Sequence, residues 1–433
     1  MPESIPALAI SQWESQMLIK GQKNCDYFNS THTQDELLNA GYYDGVRVFQ
    51  AIAEYTKDSK WLQCADHAKQ VYRDAYVLAN NGAVPGYWNF SDGLLADFQR
   101  TGDTKSKDAI SLLSTNAAFS ADTTPAAWTA GAETQREVAL AITTYLNAET
   151  AGLGSRDRLK LLADQALGHL DQLYINKSYR CTSVQFCPLE AVGKYHIKPF
   201  MSGLEMRALI RYYDKSKDPR VLPAVKASVD WLWSNAWVAA DSSFWYENWA
   251  DDPTKPFTVQ PGAPDLNLLI APAFAWVYSM TGETKYRDAG DQVFNGGVAK
   301  AFLDNGKQFN QNYLWSFDYV KWRSGAVSSP SPVPSPSPTP TPVPTPAPCT
   351  MTVAVPTLSA WSSGKIVVTF EGLTQSGTVR VTANSGQIVV DPTPKPVSGT
   401  SAIVEFAIQV KKKSSSVTVT GPCGTKVVQV TVQ

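Results

Sequence analysis

Tyr55-Thr56-Lys57-Asp58-Ser59-Lys60 and Arg100-Thr101-Gly102-Asp103-Thr104-Lys105 are one short turn met twice. Two further copies are Asp214-Lys215-Ser216-Lys217-Asp218-Pro219-Arg220 and Met280-Thr281-Gly282-Glu283-Thr284-Lys285. In each, a Thr or Ser followed by an acid is suited to end one helix and cap the next. A fifth, degenerate copy falls at Asn147–Arg158, ahead of a helix at Leu159–Tyr174. Helices before the turns are apolar around most of their circumference, as in Leu268–Met280 and Glu137–Tyr145. Those after them are amphipathic, as in Trp61–Tyr76. A helix apolar all round is buried, and one with a single apolar stripe lies outside it. Inner and outer helices alternating around a ring give an all-α (α/α) toroid of about six hairpins. Five hairpins are visible; Asn310–Arg323 supplies a sixth inner helix, and a helix near Ile10–Ile19 closes the ring.

The turns from inner to outer helix are about six residues, whereas the outer-to-inner connections are long and carry most tryptophans and polar clusters. Long connections in a compact domain are usually functional, so the active face is expected where the inner helices begin. The lead-in segments are Gly41-Tyr42-Tyr43-Asp44-Gly45, Gly86-Tyr87-Trp88-Asn89-Phe90-Ser91-Asp92-Gly93 and Trp128–Glu137. Lys194–Glu205 follows, and then Phe244–Trp249 leading to Pro264-Asp265-Leu266-Asn267. Almost every one pairs a carboxylate with aromatic rings. Rings stack on the C–H faces of sugars, and amides, arginines and acids take the hydroxyls.

These segments, with YYDG, ETQRE and KPFMSGLE among them, resemble the six-hairpin (α/α) toroid carbohydrate-active enzymes over roughly residues 35–323. That group includes glycoside hydrolases, polysaccharide lyases and sugar epimerases, so the resemblance implies a glycan cleft at the inner-helix amino ends without choosing the reaction. A hydrolase needs two carboxyls, one protonated and one ionised. Helix amino termini favour the ionised form, which suits Asp44, Asp92 or Asp265 as base or nucleophile. A carboxyl wedged among tryptophans is raised by desolvation, which suits Glu247 as the acid. Glu133 is a further catalytic candidate. For Asp44 and Asp92 helix capping alone is the competing reading; Glu133, Arg136 and Glu137 also suit an internal ion pair, and Glu205 a buried hydrogen bond. Elimination on a uronic acid polymer would instead use Tyr195 and His196, with Gln135, Arg136 and Lys198 neutralising the substrate carboxylate. Substrate contacts are expected from Tyr43, Trp88, Asn89, Trp128, Gln135, Arg136, Lys198, Glu205, Trp245, Tyr246, Trp249, Asn267 and Trp315. Patterns for a metal cage or a nucleotide loop are absent, so neither metal nor cofactor is expected.

Between Ser329 and Pro348 every second residue is proline. Fixed φ angles and missing donors exclude helix and sheet, leaving a polyproline II spacer of roughly 60 Å. Such tethers look like those of secreted enzymes that degrade polysaccharides; a surface-anchoring stalk is the plainer alternative. The expected domains are therefore 1–324, catalytic, 325–348, linker, and 349–433, accessory. The last alternates apolar and polar residues in seven short strands, which reads as an immunoglobulin-like β-sandwich. With one tryptophan (Trp361) and no tyrosine it lacks a flat aromatic platform and is expected to be a spacer, stabilising or adhesive module. Lys411-Lys412-Lys413 reads as a solvated hairpin end, with contact to an anionic surface as the alternative.

The region before the tether carries 31 basic and 36 acidic side chains, and the tail after Pro348 carries 7 and 3. Near-balanced charge gives no footprint for nucleic acid and favours neutral over polyanionic substrates, unless a local basic cleft overrides it. Six cysteines without zinc-ligand spacing pair plausibly as Cys25–Cys64, Cys181–Cys187 and Cys349–Cys423, fitting an oxidising compartment. No run of 18 apolar residues spans a membrane. Met1-Pro2-Glu3-Ser4 reads as the start of a mature chain. A secreted monomer acting on a polysaccharide is the resulting expectation, with a non-catalytic glycan-binding adhesin as the alternative from another class.

Overall fold

Thr56, Thr101, Ser216 and Thr281 end four helices by one device. Each hydroxyl donates to the carbonyl four residues back, at 2.7, 2.7, 2.8 and 2.8 Å. Each then accepts from the backbone N–H two residues on, in Asp58, Asp103, Asp218 and Glu283. The residue between is left-handed: Lys57, Gly102, Lys217 or Gly282, with φ of 58°, 73°, 54° and 71°. The three aspartates turn back to accept from the backbone N–H of Lys60, Lys105 and Arg220, each at 3.0 Å. Glu283, one methylene longer, makes no such cap. The repeated turn is therefore a local stop-and-start signal written in side-chain hydrogen bonds.

The computed structural model describes residues 5–182, 185–253, 255, 257–324, 349–373, 376–391 and 393–433. The chain divides into two compact units, Met1–Val333 and Pro334–Gln433. The expected polyproline spacer lies outside the described residues.

The first unit is helix-rich. Its helices are α1 (Ala7–Phe28), α2 (Gln34–Ala40), α3 (Gly45–Thr56), α4 (Lys60–Lys69), α5 (Asp92–Thr101), α6 (Thr104–Asn116) and α7 (Gln135–Thr150). They continue as α8 (Arg158–Leu170), α9 (Pro199–Ser216), α10 (Val221–Asn235), α11 (Asn267–Thr281), α12 (Thr284–Lys300) and α13 (Gly306–Ser324). Helix α3 packs on α5, α5 on α7, α7 on α9, α9 on α11, α11 on α13, and α13 back on α3. Each has an amphipathic partner outside it: α4, α6, α8, α10, α12 and, for α13, the amino-terminal α1. Helix α11 is buried from Asn267 to Tyr278. Trp13, Trp61, Trp315, Phe274 and Phe294 fill the core; each such ring contributes on the order of 2–3 kcal/mol by leaving water. Helices α4 and α8 both run on into π-helical turns, Gln70–Leu78 and Asp171–Ile175. Cys25–Cys64 joins α1 to α4, and Cys181–Cys187 closes a six-residue step in a loop. No described helix is long and apolar enough to cross a membrane.

Four short strands decorate the lead-in segments: β1 (Tyr195–Ile197), β2 (Trp237–Val238), β3 (Ser243–Phe244) and β4 (Asn248–Ala250). β1 pairs with β4 and β2 with β3.

The second unit is all strand. It comprises β5 (Thr350–Ala354), β6 (Ser363–Glu371), β7 (Gly377–Ala383), β8 (Ile388–Val390), β9 (Lys395–Val397), β10 (Ser401–Val410), β11 (Ser415–Gly421) and β12 (Gly424–Val430). They form two four-stranded sheets, ordered β5-β6-β10-β8 and β12-β11-β7-β9. Ile366, Val368, Phe370, Val379, Phe406, Val417 and Val419 point inward to one core. The seven expected strands are present. β9 is the addition, and Pro396 within it sits in a pairing with β7. Cys349–Cys423 ties the start of the unit to the β11–β12 turn.

Candidate active site

The amino ends of five inner helices meet at a cavity of about 250 Å³. Tyr42 and Tyr43 come from the start of α3, Arg136 from α7, Phe200 from α9, Asp265 from just before α11, and Gln311 from α13. Tyr43 and Asp44 both adopt left-handed backbone, with φ of 63° and 56°. Two consecutive side-chain-bearing residues there are costly, on the order of 1–3 kcal/mol each. Asp44 holds the strain: it caps α3 by accepting from Arg47 N at 3.1 Å and bridges to α5 by accepting from Gly93 N at 2.9 Å. Gly93 is required there, since a Cβ would stand 2.5 Å from the Asp44 carboxylate.

Aromatic rings dominate the walls. Tyr246 is half exposed and stacks on Phe200, with centroids 5.4 Å apart. Lys307 Nζ stands 5.3 Å over the Tyr42 ring. Gln311 donates to the Asp265 carbonyl at 2.6 Å, and the Asp265 carboxylate accepts from Phe302 N. Burial raises Asp265 above the ordinary carboxylate range, against that hydrogen bond. A larger cavity of about 450 Å³, bounded by α1, α2 and residues 304–308, shares Lys307 and Gln308 with the first. A third, of about 520 Å³, lies beside the carboxyl end of α3 and has no aromatic wall.

One helical turn deeper the chemistry changes. Leu140, Leu204 and Trp315 each follow Arg136, Phe200 and Gln311 by four residues, and they line a void of only about 20 Å³ with Asp44, Asp92 and Arg207. Here Asp92 accepts from Arg211 at 2.6 Å, Asn147 at 2.7 Å and Arg207 at 3.1 Å. Arg207 also binds Asp318 at 2.5 Å. Burial alone would raise Asp92, but Arg211 and Arg207 outweigh it and hold the carboxyl well below its usual range. Asp44 is pushed up to about 6, first by burial and then by the charge of Asp92.

Beside the rim cavity, across the starts of α7 and α9, a small void is lined by Glu133, Gln135, Tyr179, His196 and Lys198. Tyr179 donates to Glu133 at 2.5 Å. Glu247, next in chain to Tyr246, meets His196 Nε2 and Lys198 Nζ, both at 3.2 Å. Burial lowers His196 below its usual value, ahead of the opposing hydrogen bond from Glu247.

The expected roles of the carboxylates therefore change. Glu247 was expected among indoles; it faces a lysine and an imidazole, and the indole of Trp245 is buried against Phe257 instead. Asp44 and Asp265 were expected as ionised groups at helix starts; burial raises both. Asp92 matches the ionised expectation, but arginines hold it rather than a helix terminus.

Several of the residues expected to contact substrate are engaged within the protein. Asn89 binds Ser120 and Thr144, and Asn267 binds the carbonyls of Ser242 and Val293. Gln135 donates to Glu205 at 2.7 Å, and Glu205 meets His169 at 2.6 Å, all buried. Trp88 packs edge-on against Tyr42 at 4.6 Å, and Trp315 against Tyr43 at 5.3 Å. Trp249 stands against His196. Trp128 is 58% exposed and lines none of the cavities described above. Tyr195 and His196 are strand neighbours on opposite faces, and Tyr195 stacks its ring under Arg180 at 4.2 Å. Arg136 pairs with Glu137 at 2.7 Å.

Lys307, Gln311, Tyr179 and the pair Arg207/Arg211 are additions. The last inner helix begins at Gly306, four residues before the expected Asn310, where a Cβ would lie 2.3 Å from the Ala40 carbonyl. That small residue ahead of an apolar run was the available signal. No protein-family model matches the chain, and no curated protein shows significant similarity to it.

Proposed function

We propose that residues 1–324 form an (α/α) toroid that hydrolyses a glycosidic bond of a polysaccharide, carried in a secreted chain. The 325–348 tether would join it to an immunoglobulin-like accessory domain at 349–433. The inner-helix contacts that return from α13 to α3 support the ring, and three disulfides fit an oxidising compartment.

One observation carries the reading. Asp265, raised by burial, stands in an aromatic-walled cavity, and Glu247, ion-paired with Lys198, follows the aromatic ring that bounds the same cavity. Hydrolysis needs one proton-donating and one anionic carboxyl, and these two stand in unlike surroundings. In this reading Asp265 gives its proton to the departing glycosidic oxygen. Glu247, held by Lys198 and His196, activates water or attacks the sugar carbon. Tyr246, Phe200 and Tyr42 offer rings to the sugar faces, while Gln311 and Arg136 offer donors to its hydroxyls. Elimination is less well supported, because Tyr195 is turned away from His196.

The test is a glycan panel followed by reducing ends together with absorbance near ~235 nm, where the unsaturated uronate left by elimination absorbs. Reducing ends alone support hydrolysis and both signals support elimination. Binding without either signal would leave a glycan-binding adhesin.

A further inference from the structure

Trp361 is the one tryptophan after Pro348, and it is 60% exposed. Its backbone is left-handed, with φ of 64°, a conformation that costs a bulky residue on the order of 1–3 kcal/mol. Core packing does not compensate, because the indole is in solvent. Local hydrogen bonds do hold it. Trp361 N donates to Lys411 O at 2.9 Å, Val410 N to Ser362 O at 3.0 Å, and Lys411 N to Gln387 O at 2.8 Å. Three loops are thereby laced together at one tip, with the Trp361 backbone held against that of Lys411.

The tip is also electrostatically one-sided. Of the three acids in this unit, Glu405 is taken by Lys365 at 2.6 Å and Asp391 by Lys395 at 3.5 Å. Glu371 ends β6 at the edge opposite Ser363, roughly 25 Å away by strand rise. Among the described residues, the ammonium groups of Lys411, Lys412 and Lys413 have no acidic partner. Hydroxyls and an amide cluster where the β7–β8 connection meets the start of β11: Ser385 bonds Ser415 at 2.7 Å, and Asn384 bonds Ser416 at 2.9 Å.

We propose that this tip is a binding site for acidic polysaccharide, separate from the ring cavity and independent of what that cavity does. The indole face covers a sugar ring, the lysines neutralise carboxylate or sulfate groups on neighbouring units, and the hydroxyl-rich rim meets sugar hydroxyls. Because the backbone that carries the indole is already held, less loop ordering is left to do at binding. A lipid surface fits less well, because the neighbours of the tryptophan, Ala360 and Ser362, are too small to insert.

The test is affinity electrophoresis of the full chain through gels containing polygalacturonate or a neutral glucan, with anionic vesicles in a parallel sedimentation arm. Trp361→Asn, which tolerates left-handed backbone, is compared with the triple variant Lys411→Gln/Lys412→Gln/Lys413→Gln. The wild type should be retarded by polygalacturonate at about 0.02 M salt and released near about 0.5 M. Each variant should lose roughly tenfold in affinity while melting within about 2 °C of the wild type. Retardation unchanged in both variants, or lost only with the lysines, would overturn the site, the latter leaving bulk charge as the cause. Binding to vesicles without binding to polygalacturonate would overturn it in favour of a lipid surface.

Discussion

Asp92 and Asp265 stand at comparable places, each at the threshold of an inner helix, and they behave oppositely. Asp92 lies one helical turn deeper, beside Leu140, Leu204 and Trp315, where Arg207 and Arg211 hold it ionised. Asp265 lies at the mouth, with one backbone donor and raised by burial. A helix amino terminus favours a charge by a fraction of a kcal/mol to about 1, and the two partly buried guanidinium groups bonded to Asp92 outweigh that. Position in the repeat therefore tells where a carboxylate sits, and distant partners decide its protonation. The interior reads as a structural ionic lock, and the mouth as a place for chemistry.

The contrast breaks most plainly at the lock. Arg207→Met leaves Asp92 and Asp318 short of a buried partner and should cost about 3–5 kcal/mol in urea unfolding; a loss under about 1 kcal/mol would mean that the network is not structural. At the mouth the balance reverses. Asp265→Asn should unfold within about 1 kcal/mol of the wild type while turnover falls roughly 100- to 10,000-fold. Equal loss of stability and activity would erase the distinction.

Asp44, between the two, sharpens it through pH. Its folded value of about 6 exceeds the ordinary 3.8, a displacement of roughly 3 kcal/mol. A raised carboxyl adds stability fully present below its unfolded value, and that stability is lost as pH rises through the folded one. Wild-type stability should thus fall between about pH 4 and pH 6 from this group, and Asp44→Asn should flatten that slope. Asp92 acts in the opposite sense, its contribution being lost only as pH falls below the ordinary carboxylate range. The smallest effect is at the surface: Tyr246→Ala should weaken glycan binding by about 1 kcal/mol and leave the melting temperature unchanged.

What was legible in the chain was local. The Thr/Ser–x–Asp turn is complete within six residues, and the structure closes each copy with the hydrogen bonds that those residue types allow. The strand alternation was legible for the same reason, and the disulfide pairs because their cysteines flank one helical unit, share one loop or bracket the last domain. The roles of Glu247 and Asp265 were not, because Lys198 and His196 lie about fifty residues from Glu247 along the chain. Arg207 and Arg211 are one turn apart on α9, and without their cross-ring partners they read as ordinary surface charges. Lys307 was missed because the helix that carries it starts at Gly306, ahead of its apolar run, and Gln311 because its partner, the Asp265 carbonyl, is distant in the chain.

The most direct measurement is release of reducing ends from a panel of polysaccharides incubated with the wild type, repeated with Asp265→Asn and Glu247→Gln at matched folding. Hydrolysis at the ring mouth predicts that both variants lose turnover by at least about 100-fold and that no unsaturated product forms. Full activity in both variants would contradict it.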